Sequence, residues 1–302
     1  MPIYVDGKEV GYTIVKKDLK LPQVVDKSIV TITADDLAGA TKVGDYAFYY
    51  CTELTSIEFP STVTSIEDNS FQGCTGLTGT LTIPASVTSL GRSAFQGCTG
   101  LTGTLTIPAS VTSLGSSAFN SCNGFTALVF EDGIQLSSIS SVAFYNCTGL
   151  TGTLTIPSGV INIDTSAFNT CINLTSIIIP SSVTSIGNSA FSGCRSLTGT
   201  LTIPSSVTSI ERQAFLYCGN LLSVVYEGQA PDILYWQYMN CSNIMKYDFR
   251  NCTSIPSLNA VNDLGHADGC QIIVPDALYD EWTQSTNWVA LTDVTFVKAS
   301  EV

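Results

Sequence analysis

The stretch Leu174–Cys194, LTSIIIPSSVTSIGNSAFSGC, contains the signals that decide the fold. Its first part is rich in β-branched residues up to Pro180, which predicts a short strand that ends where proline removes a backbone donor. Val183–Ile186 predicts a second short strand. The last six residues predict a single helical or 3₁₀ turn that places Phe191 and Cys194 inward. One such unit is too short to bury its own apolar side, so it must pack against copies of itself.

The same unit recurs eight times along the chain, and each copy is marked by a phenylalanine with a cysteine three residues later. The phenylalanines are Phe48, Phe71, Phe95, Phe119, Phe144, Phe168, Phe191 and Phe215. The cysteines are Cys51, Cys74, Cys98, Cys122, Cys147, Cys171, Cys194 and Cys218. A recurring period of 23–25 residues is typical of stacked coils. We therefore expect a mainly β, right-handed repeat solenoid of about eight coils with short helical or 3₁₀ turns.

The full pattern, Leu-x-x-Ile/Leu-x-Ile-Pro, then Ser-Val-x-Ser-Ile, then Ala-Phe-x-x-Cys, resembles the BspA-like leucine-rich repeats of bacterial surface proteins. The resemblance covers roughly residues 40–245. The fourth copy departs from it, with Phe125 in place of Leu and Phe130–Glu131 in place of the apolar–Pro pair. The resemblance implies a leucine-rich-repeat solenoid and a role in adhesion or in binding protein or glycan ligands, at a cell surface or after secretion.

The ends of a solenoid expose unpaired strand edges, so we expect a cap at each end. This expectation divides the chain into an N-terminal β cap over 1–35, the solenoid over 36–245 and a C-terminal cap over 246–302. Ile3–Val10 predicts a hairpin with its turn at Asp6-Gly7, because Asp-Gly favours the turn types of tight hairpins.

The C-terminal cap has its own local signals. Ile272–Pro275 predicts a last strand, and Asp276–Thr283 predicts a short helix capped by its first residue. Leu278, Tyr279 and Trp282 would then face inward. The order Val-Pro-Asp-Ala, Trp, Asn-Trp also resembles the tails that close BspA-like arrays.

Charge and hydropathy exclude two classes of partner. The chain has 12 Lys and Arg against 25 Asp and Glu, a net charge of −13, whereas nucleic acid requires clustered basic side chains. No apolar run is long enough to predict a membrane-spanning helix. The first ten residues include Asp6 and Glu9 and lack the apolar core of a signal peptide. An alternative function is therefore a structural or receptor-binding component of a phage tail or other surface assembly.

The eleven cysteines raise the question of disulfides or metal. Eight follow the repeat, which favours a buried row of thiols, and Cys241 lies 23 residues after Cys218 as a ninth member. A Cys₃His zinc site from Cys241, Cys252, His266 and Cys270 is disfavoured, because no Cys-x₂₋₄-Cys pair occurs among them. We expect no metal and no cofactor.

Catalysis has little support in the residues. The chain has one His and lacks nucleophile, phosphate-loop and dinucleotide motifs. Glu58, Glu67 and Asp68 cluster in one coil, but no matched acid lies on the adjacent coils, as a glycosidase would need. We expect the protein not to be an enzyme.

Two surfaces are the candidates for ligand binding. The first is the strand face, formed by the outward residues of the first strand of each coil, which we expect to be flat, neutral and mildly apolar. Its members are Glu58, Thr82, Thr106, Val129, Thr155, Ile178, Thr202 and Val225. Its Thr-x-Thr segments are similar to the ice-binding face of some β-solenoids, but the array is broken at Val129, Ile178 and Val225, and β-propensity with cross-strand Thr stacking explains it better. The second is an aromatic group near the end of the repeats, in which Trp236 and Tyr238 are the candidates and Tyr235, Tyr247 and Phe249 are neighbours. The alternative, which a junction of this kind favours, is that these aromatic side chains are buried and join the repeats to their cap.

Overall fold

The computed structural model describes the chain in five segments, which are residues 2–5, 8–13, 30–233, 235–260 and 263–302. The chain divides into two compact units, residues 1–151 and 152–302. Each unit is built from short parallel strands of successive coils. The predicted β-solenoid is therefore confirmed.

The described residues of the first unit form eleven strands. They are β1 Pro2–Val5, β2 Lys8–Thr13, β3 Thr31–Ile32, β4 Lys42–Val43, β5 Ser56–Ile57, β6 Ser65–Ile66, β7 Ser89–Leu90, β8 Gly103–Ile107, β9 Ser113–Leu114, β10 Phe125–Phe130 and β11 Ser138–Ile139. β1 and β2 pair antiparallel, while the predicted turn residues Asp6 and Gly7 lie outside the described residues. β3 pairs with β5 and β8 with β10, both parallel. β4, β6, β7 and β9 form a second parallel ladder in that order.

The part of the second unit that the structure describes includes ten strands and three short helical segments. The strands are β12 Gly152–Thr155, β13 Asn162–Ile163, β14 Leu174–Ile178, β15 Ser185–Ile186, β16 Gly199–Ile203, β17 Ser209–Ile210, β18 Leu221–Tyr226, β19 Lys246–Asp248, β20 Cys270–Val274 and β21 Val294–Lys298. The helical segments are 3₁₀ turns at Asp276–Leu278 and Ala299–Glu301 and the helix α1 at Tyr279–Trp282. β12 pairs with β14, β13 with β15 and β15 with β17, all parallel. β16, β18, β19, β20 and β21 form one five-stranded parallel sheet.

The segment around each phenylalanine differs from the predicted helical turn. The amide of Phe95 donates to the carbonyl of Ala118 in the next coil at 2.8 Å, and the amide of Gly97 donates to Asn120 at 2.8 Å. Directly after Gly97, the amide of Cys98 donates back to the carbonyl of Phe95 at 3.1 Å. A helix would keep all of these bonds inside the segment. The segment is a series of tight turns that forms a third ladder between coils, so the prediction of helix here was wrong.

These turns require left-handed backbone at two places in each coil, two residues before and two residues after the phenylalanine. In the first unit the positive-φ residues of these turns are Tyr46, Tyr50, Asn69, Gly73, Ser93, Gly97, Ser117, Ser121, Val142 and Asn146. In the second they are Ser166, Thr170, Ser189, Gly193, Gln213, Tyr217, Trp236 and Asn240. Most are not glycine, although L-residues adopt this region at a cost. The intercoil hydrogen bonds and the buried phenylalanine between the two positions hold this conformation.

Aromatic rings stack in register through the core of each unit. In the first unit the centroids from Phe48 to Phe144 are 5.0–5.7 Å apart, with interplanar angles of 12° or less. In the second, Phe168, Phe191, Phe215 and Tyr238 follow one another at 5.5 Å. Tyr238 therefore takes the phenylalanine position of a ninth coil, as its place three residues before Cys241 allows.

All eleven cysteines are buried and present as thiols. In the first unit Cys98 donates to the carbonyl of Phe71 at 3.1 Å, and in the second Cys241 donates to that of Phe215 at 3.1 Å. The expected row of packed thiols is thus confirmed, with Cys241 as a member.

Together the two units contain about twelve turns rather than eight. The sequence count depended on the Phe–Cys pair, which is missing at both ends, whereas parallel pairing needs only backbone. For this reason Cys270–Val274 is followed by a further strand, Val294–Lys298, and is not the last strand.

Asp276 does not cap the C-terminal helix as predicted. Its Oδ1 accepts the amide of Ser300 at 3.0 Å, and of the three predicted inward residues only Trp282 is buried. The three predicted domain boundaries stay predictions.

Candidate binding surfaces

In the first unit the strand face is formed by outward residues of β8 and β10. Thr106 pairs in register with Val129. Leu105 and Ile107, the residues on either side of Thr106, point into the core. Val129 keeps 45% of its surface exposed. Thr82 and Glu58 are also exposed, but both lie just outside the strands, and the amide of Glu58 donates to Ile32 at 2.9 Å.

In the second unit the strand face is formed by β12, β14, β16 and β18. Thr155 pairs with Ile178, and Thr202 pairs with Val225. Ile178 is 53% exposed, whereas Thr202 and Val225 are half-buried. The next register partner, Asp248, is buried. The accessible strand face in this unit therefore ends at β18.

The chemistry of the strand face favours contact without charge. Its outward positions in the paired strands carry hydroxyls and β-branched apolar groups, and neighbouring hydroxyls bond to each other, as Thr200 and Ser223 do at 2.6 Å. Stiff β-branched side chains lose little rotamer entropy when a partner binds. Within each unit the paired strands of this face can therefore accept a flat partner.

The aromatic group near the end of the repeats is split by the structure. Tyr235 and Trp236 are about half exposed, and the guanidinium of Arg212 lies 4.5 Å from the Tyr235 ring centroid. The backbone amide of Trp236 donates to the carboxylate of the buried Asp263 at 2.6 Å, which fixes the loop. Trp236 thus remains a surface candidate.

Tyr238 is fully buried, which removes it from the candidate surface and agrees with the alternative that these aromatic side chains pack inside. Its ring stacks on Phe215, and its hydroxyl shares a hydrogen bond with that of Tyr226 at 2.8 Å. Burial raises the pKa of Tyr238 well above its ordinary value. Tyr247 and Phe249 are also fully buried. Trp236 precedes Tyr238 by two residues, and in this turn the Trp236 side chain lies on the surface while the Tyr238 side chain points into the core.

The acidic and cysteine-rich groups considered from sequence have structural contacts. Glu67 accepts the hydroxyl of Ser65 at 2.7 Å, and Asp68 accepts the amide of Arg92 at 2.7 Å. No group of three or more His, Cys, Asp or Glu among the described residues is placed to hold a metal ion. The helices of the described segments are all too short to cross a membrane.

Sequence reasoning missed a cluster of exposed tyrosines in the first unit. Tyr46, Tyr49 and Tyr50 are 42–51% exposed, and Tyr145 on a later coil of this unit is 37% exposed. The available signal was the residue directly after each phenylalanine, a position that alternation places outside. Tyr49 and Tyr145 both occupy that position.

Comparison with solved structures shows the same fold in several bacterial proteins. A leucine-rich repeat protein from Bacteroides ovatus aligns with a TM-score of 0.65 and 23% identity, covering 89% of this chain and 61% of that one. The pneumococcal vaccine antigen PcpA aligns with a TM-score of 0.50 and 18% identity over 90% of this chain and 80% of its own. A leucine-rich repeat protein from Eubacterium ventriosum aligns with a TM-score of 0.50 and 20% identity, covering 93% of this chain and 78% of that one. This chain therefore spans about three fifths of the Bacteroides protein.

Among curated proteins none matches this sequence. The BspA type leucine rich repeat region, in contrast, matches in six copies, over residues 41–172 and 128–245. The matched residues span about two thirds of the chain and include the phenylalanines and cysteines that stack inside both units. On the strength of this match and of the coils that carry it, the chain belongs to the BspA type leucine-rich repeat family.

Proposed function

We propose that this protein is a non-enzymatic module that binds protein or glycan ligands at a bacterial surface or in secreted form. The family match supports a repeat module of surface proteins. One structural neighbour is described as a vaccine antigen, which is consistent with exposure outside the cell for that protein. The net charge of −13 supports ligands other than nucleic acid.

The observation that carries the proposal is the exposure of β-branched apolar side chains on the strand face. Val129 in the first unit and Ile178 in the second are each about half exposed, beside threonines with which they pair in register. When a partner covers apolar groups that are held in water on rigid strands, the free energy of the system falls. In the accessible part of this face such groups stand without charged neighbours in the same register, which suits recognition better than catalysis.

The experiment is retention of the purified chain on an array of immobilised extracellular-matrix proteins and glycans. We expect at least one class to retain the chain, and Val129→Lys or Ile178→Lys to weaken retention without lowering the melting temperature. Thr112→Lys is the matched control, because Thr112 is an exposed residue beside the second strand of a coil, away from the strand face. Absence of retention by every class, or equal retention of all variants, would contradict the proposal.

A further inference from the structure

A row of side chains on the turn side of the first unit repeats once per coil. The turn row consists of the residues directly after each phenylalanine: Tyr49, Gln72, Gln96, Asn120 and Tyr145. Backbone hydrogen bonds fix its register. The carbonyls of Gln72 and Gln96 accept amides of the preceding coil at 2.7 Å, and those of Asn120 and Tyr145 do so at 2.8 Å. Each coil therefore contributes one residue to the row, and successive members are about 4.8 Å apart at the usual strand spacing.

One end of the turn row is an aromatic platform. The ring of Tyr49 lies 5.3 Å from that of Tyr46 and 4.6 Å from that of Tyr50, both edge to face. The Tyr50 ring covers Gly73 so closely that a Cβ there would lie 2.8 Å from a ring carbon. The platform is thus held by its neighbours before a ligand arrives, which reduces the entropy lost on binding.

The middle of the turn row offers neutral hydrogen-bonding groups. The side-chain amides of Gln72 and Gln96 are half-buried and have no hydrogen-bond partner among the described residues. Asn120 accepts the hydroxyl of Ser121 at 2.8 Å through Oδ1. Each such amide can donate and accept at the same time, as adjacent sugar hydroxyls require. No residue of the row carries a charge.

We propose that the turn row binds a linear, uncharged oligosaccharide that runs along the first unit, with a sugar ring at each terminal tyrosine and hydroxyls on the amides between. The spacing of one coil is close to the length of one pyranose in an extended chain. Rings of Tyr49 and Tyr145 provide apolar faces for stacking. A net charge of −13 disfavours anionic polysaccharides. This inference goes beyond the general binding role, since it names another surface and a ligand class.

The test uses the full chain against immobilised β-linked glucans, xylans, mannans and galactans, with heparin and hyaluronan as anionic comparisons. Affinity for oligosaccharides of the best-bound neutral polymer should rise with chain length up to about five sugars, the number of residues in the row. Tyr49→Ala, Gln96→Ala and Tyr145→Ala should each weaken binding about tenfold. Their melting temperatures should change little, because none of these side chains is fully buried.

Tyr217→Ala is the matched control, because Tyr217 is a 50% exposed tyrosine on a turn of the second unit. We expect it to leave sugar binding unchanged. Equal affinity for a disaccharide and a pentasaccharide, preference for the anionic polymers, or insensitivity to all three row variants would overturn this site. Binding that is lost instead in the Val129 or Ile178 variants would overturn it while keeping the general binding role.

Discussion

The sulfur of Cys98 lies 3.1 Å from the carbonyl oxygen of Phe71, one coil away. The same carbonyl accepts the backbone amide of Cys74 at 3.1 Å. The thiol is therefore a second donor to a carbonyl that is already satisfied, and it fills the space beside the stacked rings. Its role is packing between coils, which has consequences for reactivity and for pH.

We expect the cysteines to be unreactive in the folded protein and countable in the unfolded one. Burial raises the pKa of Cys147 and Cys194 to about 12, so at pH 8 only about one molecule in ten thousand carries either thiolate. Ellman's reagent at pH 8 should react only at the rate of unfolding, and denaturation without reductant should release about eleven thiols. Fewer than about eight would mean that the repeat cysteines are bridged.

Stability should fall as the pH rises above 9. The pKa of Cys147 and of Cys194 is raised by desolvation from 9.0 to about 12, so above pH 9 the unfolded chain holds fewer protons than the folded one. Each such thiol then lowers the free energy of unfolding by about 1.4 kcal/mol per pH unit between these values. Urea unfolding at pH 8 and pH 10 measures the fall. The variants Cys147→Ala and Cys194→Ala should show shallower falls, and an unchanged slope would refute the assignment.

The core positions of the repeats follow from the sequence, because the Phe–Cys spacing repeats along the chain and side-chain direction follows from strand alternation. The backbone of the turns does not. Ser117 and Val142 have φ angles of 60° and 62°, although neither residue type favours this region. The end coils are also hidden from sequence, because the pairing of β20 with β21 uses backbone atoms and no repeated side chain.

Val142 is the clearest site of backbone strain in the first unit. A β-branched residue at φ 62° costs about 1–2 kcal/mol relative to the right-handed region, and asparagine tolerates it better. Val142→Asn should therefore raise the free energy of unfolding by about 1 kcal/mol, measured by urea denaturation. Ser117→Val, at the equivalent position of the neighbouring coil, should lower it by a similar amount. The same sign for both variants would contradict the strain.

Ile178 and Ile186 lie in the same coil, but the Ile178 side chain points to solvent and the Ile186 side chain points into the core. Ile178 is 53% exposed and Ile186 is fully buried. Ile178→Thr should change the free energy of unfolding by less than about 0.5 kcal/mol, whereas Ile186→Thr should lower it by about 3 kcal/mol, through lost packing and a buried hydroxyl. Thermal unfolding of both variants measures the difference. Comparable losses would mean that the strand face is covered in the protein.

The candidate surfaces were only partly predictable from sequence. Ile178 and Val129 were placed outside correctly, because the strand period is two. Trp236 and Tyr238 were grouped because they are close in sequence. In the structure the Trp236 side chain is exposed, whereas the Tyr238 side chain lies in the stack of aromatic rings. The distance of 23 residues from Phe215 to Tyr238 was the signal that would have separated them.

Arg250 holds the buried carboxylate of Asp248 at the end of the strand face. Its Nε lies 2.9 and 3.0 Å from the two carboxylate oxygens, and a terminal nitrogen lies 2.8 Å from one of them. Arg250→Met would leave the carboxylate buried without its partner, which costs several kcal/mol in a closed site. Because the Arg250 side chain keeps 36% exposure, solvent screening reduces the expected loss to about 2 kcal/mol.

The double variant Arg250→Met with Asp248→Asn separates the lost pair from lost packing. It removes the charge that the single variant leaves behind, so it should be more stable than Arg250→Met alone by about 1 kcal/mol in urea denaturation. The strand register locates the pair: Asp248 continues the row of Val225 on the neighbouring strand, where it is buried. A double variant less stable than Arg250→Met would mean that Asp248 is stabilised by the surrounding backbone and not by Arg250.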